Sequence, residues 1–274
     1  MATDMDYIQA AIDNASQESR TDAYRDAVTG PPVTEVSLPG GLYNPLEGTV
    51  IKTATVREIN GWDEEVLARL AAKENPVQGE QLIALLERAT VSVGDEKATP
   101  ELLDMLYAGD WDALLLAIRI ASYGSQVSWQ FPCQGCDSKM RVVTLDLNEC
   151  VSPREIDVAD DEFTFQGKRS TYVVGFPKGS STRRLFRNPN STSATVISET
   201  LFGAITSIDE VPVRSIDQIK SMPSADREAL FVEINDKMPS LRLEEVKTNC
   251  DHCGSEVFVP LSLAALFRGR TLAV

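Results

Sequence analysis

The sequence predicts an α+β fold, with a helical N-terminal half followed by β-hairpins. Over residues 60–124 apolar side chains recur every three or four positions, which is the period of amphipathic helices. After Gly124 they alternate with polar ones, which is the period of strands. Two alternating stretches, residues 126–147 and 243–262, are each interrupted by a Cys-x-x-Cys motif. Because such pairs in tight turns are typical of zinc ribbons, we expect the hairpins to join in a split zinc-ribbon-like unit.

Residues 1–34 are predicted to form a helical N-terminal arm, ahead of an α+β body of residues 35–274. Apolar side chains share one helical face of the arm, and a Gly-Pro pair ends the pattern, because proline cannot continue a helix. Residues 38–45 are rich in glycine and proline. They lead into an alternating stretch, residues 49–59, that predicts a strand.

Three or four helices are predicted between residues 60 and 124. In the first, the apolar side chains share a face, and acidic residues occupy the first turn, where the helix dipole favours negative charge. Two further stretches, residues 77–94 and 99–124, repeat the amphipathic pattern. Thr99 is the expected N-cap of the second, because it precedes a proline at the first helical position.

The stretch between the two hairpins, residues 150–242, is predicted to be an insertion. Its residues 162–177 alternate and predict strands. Its last part, residues 215–239, has a helical pattern, with Ser224 as the expected N-cap.

Four cysteines form the strongest chemical signal in the chain. Cys133 and Cys136 lie in the first hairpin turn, and Cys250 and Cys253 lie in the second. Four thiolates are a preferred ligand set for structural Zn²⁺. The alternative is two separate pairs, either redox-active or simply free thiols.

The wide separation of the two pairs has a structural consequence. Some 113 residues lie between Cys136 and Cys250, where a simple ribbon has a short loop. A shared metal would therefore join distant parts of the chain. The residues between the two pairs would then be an elaboration attached to this metal-linked unit. Cys150 is expected to be an ordinary small residue outside the site, and His252, the one histidine, an exposed turn residue.

Composition restricts the classes of partner. The formal net charge is −15, whereas nucleic-acid binders normally present a basic face. A buried basic stripe inside an acidic protein is possible, and residues 178–187 are the one local basic cluster, but the cluster is expected to be a solvated loop with counter-charges nearby. No apolar run is long enough to span a membrane, and the N-terminus has no pattern of a signal peptide, so we expect a protein made in the cytoplasm.

Common enzyme classes find little support. Zinc nucleobase deaminases need a His or Cys ligand upstream of the Cys pair, and none precedes Cys133. A thioredoxin-like site would lie at a helix N-terminus, whereas both pairs lead into predicted strands. One histidine leaves no material for a catalytic triad, and no phosphate-binding loop is present. We therefore expect no catalytic residue.

Three stretches, in their order along the chain, resemble the family of T-even-type phage baseplate hub assembly proteins and their relatives in other contractile-tail phages. They are SLPGGLYNPLEGTVIKTATVREINGWDEEVLARL, LLLAIRIASYGSQVSWQFPCQGC and LRLEEVKTNCDHCGSEVFVPLSLAALF. The resemblance covers residues 35–150 and 225–268. The chain lacks the serine that the family's first motif has between proline and glycine. The matching residues are Gly40, Gly41, Arg119, Ser122, Tyr123, Gly124 and the four cysteines.

The resemblance implies a role in the tail baseplate, as a protein that helps to build the hub or remains in it. Such a protein works through contacts with other baseplate and tail proteins and has no substrate; self-association is compatible with that role. It would be found in the host cytoplasm during assembly and in the virion if it is retained. The arm and residues 38–45 are expected to reach neighbouring subunits. A second function class remains open, a zinc-ribbon adaptor or regulatory protein that binds a cellular machine.

Overall fold

The computed structural model describes most of the chain after the N-terminal arm. The chain divides into two units, Met1–Pro32 and Val33–Val274. The predicted helical arm lies almost entirely outside the described residues, so its structure stays a prediction. The described ranges are 32–136, 139–156, 161–188, 192–243, 246–250 and 252–259.

The N-terminal part of the second unit packs helices onto a four-stranded antiparallel sheet of order β1-β2-β3-β4. Buried aliphatic residues from both layers, among them Leu38, Leu86 and Leu114, share one hydrophobic core. The mixed α+β prediction is confirmed, with more strand than expected in this half. The elements are β1 (Val33–Asn44), β2 (Thr49–Arg57), α1 (Gly61–Ala71), α2 (Gln78–Ala89), β3 (Thr90–Val93), β4 (Glu96–Lys97), α3 (Pro100–Met105) and α4 (Ala108–Tyr123).

Side-chain caps fix where two of these helices begin. The Asn60 side chain accepts hydrogen bonds from the backbone N–H groups of Trp62 and Asp63, and Asp63 reciprocates at the Asn60 N–H, which completes a capping box. The Thr99 hydroxyl accepts from the Leu102 N–H ahead of Pro100. The Thr99 cap predicted from the sequence is therefore confirmed.

Two of the helical predictions are partly wrong. The helix predicted over residues 77–94 ends at Ala89, and the β-branched residues that follow pair with β2 as strand β3. The helix predicted over residues 99–124 is two helices, because the chain between Met105 and Ala108 is extended and Tyr107 forms a β-bridge with Lys178. The spacing of apolar residues did not predict the helix end at Ala89 or the division between Met105 and Ala108.

The Gly40–Gly41 pair forms a buried bend in β1. The Asp110 carboxylate, fully buried at the start of α4, accepts hydrogen bonds from the Gly40 N–H (2.8 Å), the Gly41 N–H (3.1 Å) and the Tyr107 N–H (3.0 Å). Gly41 has φ +77°, a conformation that glycine adopts without strain. The prediction that residues 38–45 reach neighbouring subunits is therefore wrong for residues 38–41, which are buried.

The C-terminal part is built around a second antiparallel sheet of order β11-β10-β9-β8. The strands predicted in residues 162–177 and the helices predicted in residues 215–239 are confirmed, but Ser224 is the first residue of its helix and Pro223 is the N-cap. The elements are β7 (Val151–Arg154), β8 (Phe163–Gln166), β9 (Thr171–Val174), α5 (Gly179–Phe186), α6 (Ser193–Ala204), β10 (Ile205–Ile208), β11 (Val211–Pro212), α7 (Ile216–Lys220), α8 (Ser224–Lys237) and β12 (Ser240–Leu243).

The insertion of residues 150–242 is fixed to the N-terminal part by its own contacts. Arg183 of α5 is buried and forms ion pairs with Glu87 of α2 and Asp104 of α3. Strand β12 pairs with β7, and its Leu241 packs against the core of the N-terminal part. The insertion therefore has attachments to the N-terminal part besides the cysteine pairs.

Candidate metal centre

The two predicted cysteine hairpins are both present. Strands β5 (Gln126–Cys133) and β6 (Lys139–Asp146) pair antiparallel along their full length, from Gln126 opposite Asp146 to Cys133 opposite Lys139. Strands β13 (Val246–Asn249) and β14 (Glu256–Val259) pair from Val246 opposite Val259 to Asn249 opposite Glu256. Each ladder thus ends at a cysteine pair, and we call the two hairpins together the clip.

Each cysteine pair lies in a tight turn. In the first hairpin a short 3₁₀ helix, Gln134–Cys136, follows Cys133 directly. In the second, the Cys250 N–H donates to the Ser255 carbonyl (2.9 Å), and the Gly254 N–H donates to the Cys250 carbonyl (2.8 Å). Gly254 has φ +71°, which lets the backbone curl back without steric strain.

The two turns lie close together at Gly135. A Cβ atom added there would overlap the Ser255 hydroxyl and would lie 2.9 Å from the Cys253 sulfur. A larger residue at this position would therefore require the Ser255 and Cys253 side chains to shift. This requirement links distant residues, so the sequence alone did not show it.

The four predicted cysteines come together in one cluster. The Sγ atoms of Cys133 and Cys253 are 3.5 Å apart, and those of Cys136 and Cys250 are 3.9 Å apart. All four sulfurs lie within 4.8 Å of one another; three of the cysteines are buried and Cys253 is exposed. Four sulfurs placed 2.3 Å from a tetrahedral Zn²⁺ would be about 3.8 Å apart. The cluster has the size and the soft donor set to hold one metal ion.

The thiols of the cluster differ in acidity. Hydrogen bonds from the Ser255 side chain and backbone lower the pKa of Cys253 to about 6. Burial, with thiol hydrogen bonds as a smaller cause, raises the pKa of Cys133 to about 12. Because metal ligands must be deprotonated, a bound divalent cation would supply the positive charge that the buried thiolates lack.

His252 and Cys150, which were predicted to lie outside the metal site, do not belong to the four-sulfur cluster. His252 lies in the second turn and is exposed, as predicted. Cys150 is buried in the turn region after β6, and the four-sulfur group does not include it.

Three side chains of the basic cluster, residues 178–187, contact other groups of the protein. The Lys178 ammonium lies 3.1 Å from the centre of the Tyr107 ring, and Arg183 is buried against its two carboxylates. Arg184 lies 3.4 Å from Glu199. The predicted counter-charges are present, but the prediction of a loop is wrong, because residues 179–186 form helix α5. These three side chains do not form a free basic face.

The comparisons with known proteins give one decisive match. The family model of the T4 bacteriophage base plate protein matches residues 46–268. The chain belongs to this family. No curated protein and no solved structure matches the chain.

The range matched to the T4 bacteriophage base plate family contains both cysteine turns and the insertion between them. The Gly40–Gly41 bend and the N-terminal arm precede it. Within the part of the chain that the structure describes, no helix has the length and apolarity to cross a bilayer. Contacts with other tail proteins follow from membership of this family.

Proposed function

We propose that the protein is a non-enzymatic structural or assembly component of a contractile-tail baseplate and that it is associated with the hub. The observation that carries the proposal is the family match over residues 46–268, which spans nearly all of the described fold. In this role the protein acts through contacts with other baseplate and tail proteins. It would work in the host cytoplasm during assembly and in the virion if it is retained.

The clip would hold one structural Zn²⁺ through Cys133, Cys136, Cys250 and Cys253. Their sulfur spacings agree with tetrahedral thiolate coordination. Four protein ligands fill a tetrahedral site and leave no position for a substrate, so the metal would serve as a structural tie. The role of the zinc would be to keep the two hairpins together as a rigid platform.

One exposed contact element is the turn between β1 and β2. Leu46 is 94% exposed and Tyr43 is 51% exposed. The turn that presents them is ordered by the Asn44 side chain, which accepts from the Leu46 N–H (3.0 Å), and by the Gly48 N–H, which donates to the Asn44 carbonyl (2.9 Å). Together with the predicted arm, this turn replaces residues 38–41 as the contact region for neighbouring subunits.

A gene-knockout phage tests the assembly role. If the proposal is correct, lysates lacking the protein contain heads and no complete baseplates, and the full-length chain supplied in trans restores them. A Leu46→Asp variant that folds normally should restore fewer complete tails than Leu46→Met, which keeps the apolar surface. Normal tails in the knockout would refute the role.

A further inference from the structure

The cysteine cluster has a second chemical capacity, because two of its sulfur–sulfur contacts join the two turns. Cys133 lies 3.5 Å from Cys253, and Cys136 lies 3.9 Å from Cys250. Each pair connects residues more than a hundred positions apart. We propose that the metal-free clip oxidises to two disulfides, Cys133–Cys253 and Cys136–Cys250, which keep the hairpins joined when zinc is absent. The inference rests on the same four-thiol site as the proposed function.

The local structure brings the sulfurs of these two pairs within reach of each other. The ladders β5–β6 and β13–β14 and the backbone hydrogen bonds of the second turn place the two cysteine-bearing turns. Gly135 lets the turns lie in contact. The sulfurs of each cross-turn pair need to move by less than about 2 Å to reach the bond length of a disulfide, 2.05 Å.

Solvent access sets where oxidation begins. Cys253 is exposed, whereas the other three cysteines of the cluster are buried. The Cys253 thiolate attacks one sulfur of glutathione disulfide, and a mixed disulfide forms as one glutathione thiolate leaves. Cys133 then attacks the Cys253 sulfur and displaces the second glutathione. Two protein thiols are oxidised and one glutathione disulfide is reduced; the second pair consumes another.

The pairing has a consequence for a protein that moves from the cell to the exterior. Disulfides that close long loops constrain the unfolded chain more than those that close a four-residue turn. The cross-turn bonds would therefore preserve the clip in an oxidising medium, where zinc can be lost, while bonds within each turn would release the hairpins from each other. The same four residues thus provide a metal tie in the reducing cytoplasm and a covalent tie outside it.

Mapping the disulfides tests the proposal. The full-length protein is stripped of metal under reducing conditions, freed of reductant, treated with glutathione disulfide, alkylated and digested without reduction. We expect peptides that join Cys133 to Cys253 and Cys136 to Cys250, with Cys150 alkylated. Zinc-loaded protein treated in the same way should yield at least tenfold less of either cross-link. Peptides closed within one turn, Cys133–Cys136 or Cys250–Cys253, would overturn the proposal.

A matched pair of double variants measures the preference directly. Cys136→Ser with Cys250→Ser leaves one cross-turn pair, and Cys250→Ser with Cys253→Ser leaves one pair within a turn. The first should lose its two cluster thiols to glutathione disulfide faster than the second; the reverse order would contradict the inference. Zinc content of the untreated wild type is recorded separately, so a protein without zinc refutes the metal site, while the peptide map alone decides the pairing.

Discussion

The N-terminal sheet with its helices and the clip are held together by different forces. The first region buries residues of at least six of its elements in one core, with Leu38, Leu86 and Leu114 fully buried. The clip consists of two separate two-stranded ladders, and hairpins of this kind are marginal in water. Side-chain packing stabilises the first region. The first hairpin of the clip also packs through Val127 and Leu145, and we expect a metal at the cysteine cluster to add the stability that the short ladders lack.

Buried charges sharpen this contrast. Asp63 is buried and pairs with Arg57 (2.6 Å) and Arg88 (2.7 Å), which ties β2, α1 and α2 together. Arg183 ties the insertion to α2 and α3 and lies over the Trp111 ring. These charged groups have their partners in the N-terminal sheet and its helices and in α5, which together we call the packed region. Substitution of one of them should therefore leave the clip intact.

The largest expected effect is that of Arg183→Ala. The substitution leaves Glu87 and Asp104 without their cation at a partly buried site, and loss of one partner of a buried pair costs about 3–5 kcal/mol. Urea unfolding should show that loss, with zinc content unchanged. Arg184→Ala is the matched control, since Arg184 is exposed and its pairing with Glu199 contributes about 0–1 kcal/mol. Equal losses in the two variants would refute the role of Arg183.

The next largest effect is a pH dependence of the unfolding free energy, and its source lies in the packed region. Burial raises the pKa of Asp110 to about 6, and burial with the charge of Asp110 raises the pKa of Asp112 to about 7. The folded state therefore binds these two protons more tightly than the unfolded state, so the contribution of these two groups to stability is greatest at low pH and declines as the pH rises from about 4 to 7.

The variant Asp112→Asn isolates part of this decline. Between pH 4.5 and 7.5 the wild type should lose about 1–3 kcal/mol more unfolding free energy than the variant, because one pKa unit corresponds to about 1.4 kcal/mol. Chemical denaturation at the two pH values measures the difference. Asp236→Asn, at an exposed position, makes the same chemical change and should leave the pH profile as it is in the wild type. A variant profile parallel to the wild type would exclude Asp112 as a source.

A smaller effect is confined to the clip. Gly135→Ala places a methyl group against Ser255 and Cys253, so the side chain of Ser255 and the sulfur of Cys253 must shift. Zinc affinity should fall by about tenfold or more, a typical effect of disturbing the groups around metal ligands, while urea unfolding of the packed region stays unchanged. Gly61→Ala is the control, because nothing lies within 4 Å of its added Cβ. Wild-type zinc affinity in Gly135→Ala would show that the close approach is not required.

The smallest effect concerns the hairpin turn between β10 and β11. Asp209 and Glu210 have φ +49° and +67°, a region that costs non-glycine residues about 1 kcal/mol. Glu210→Gly should therefore stabilise the protein by about 0.5–1 kcal/mol in thermal unfolding. Asp209→Gly should bring no gain, because the Asp209 carboxylate accepts a hydrogen bond from the Thr171 N–H (2.8 Å). A gain from Asp209→Gly alone would contradict this explanation.

Local signals in the sequence predicted part of this molecule. The Thr99 cap, the strand at residues 49–59 and both cysteine hairpins depend on neighbouring residues, and the structure has all of them. The bend at Gly40–Gly41 depends on Asp110, which is seventy positions away. No local pattern reports such a contact, and the sequence alone therefore predicted that residues 38–45 reach neighbouring subunits.

The sequence predicted the four cysteines of the candidate site, but it did not predict the contacts around them. The spacing of the cysteines pointed to one four-thiol site, and the structure brings the sulfurs together. The role of Gly135 depends on the approach of the second turn, and the independent attachment of the insertion depends on Arg183 and Leu241. These contacts arise only when the chain is folded, which is why the sequence alone did not predict them.

Metal analysis combined with hydrogen exchange tests the central claim most directly. The protein purified from zinc-supplemented cells should contain one zinc per chain, while the variant Cys250→Ser should contain none and Cys150→Ser should keep it. Removal of zinc under reducing conditions should accelerate exchange in residues 126–147 and 246–259 and leave α2 and α4 protected. A zinc-free wild type, or unchanged exchange in both hairpins after metal removal, would contradict the account.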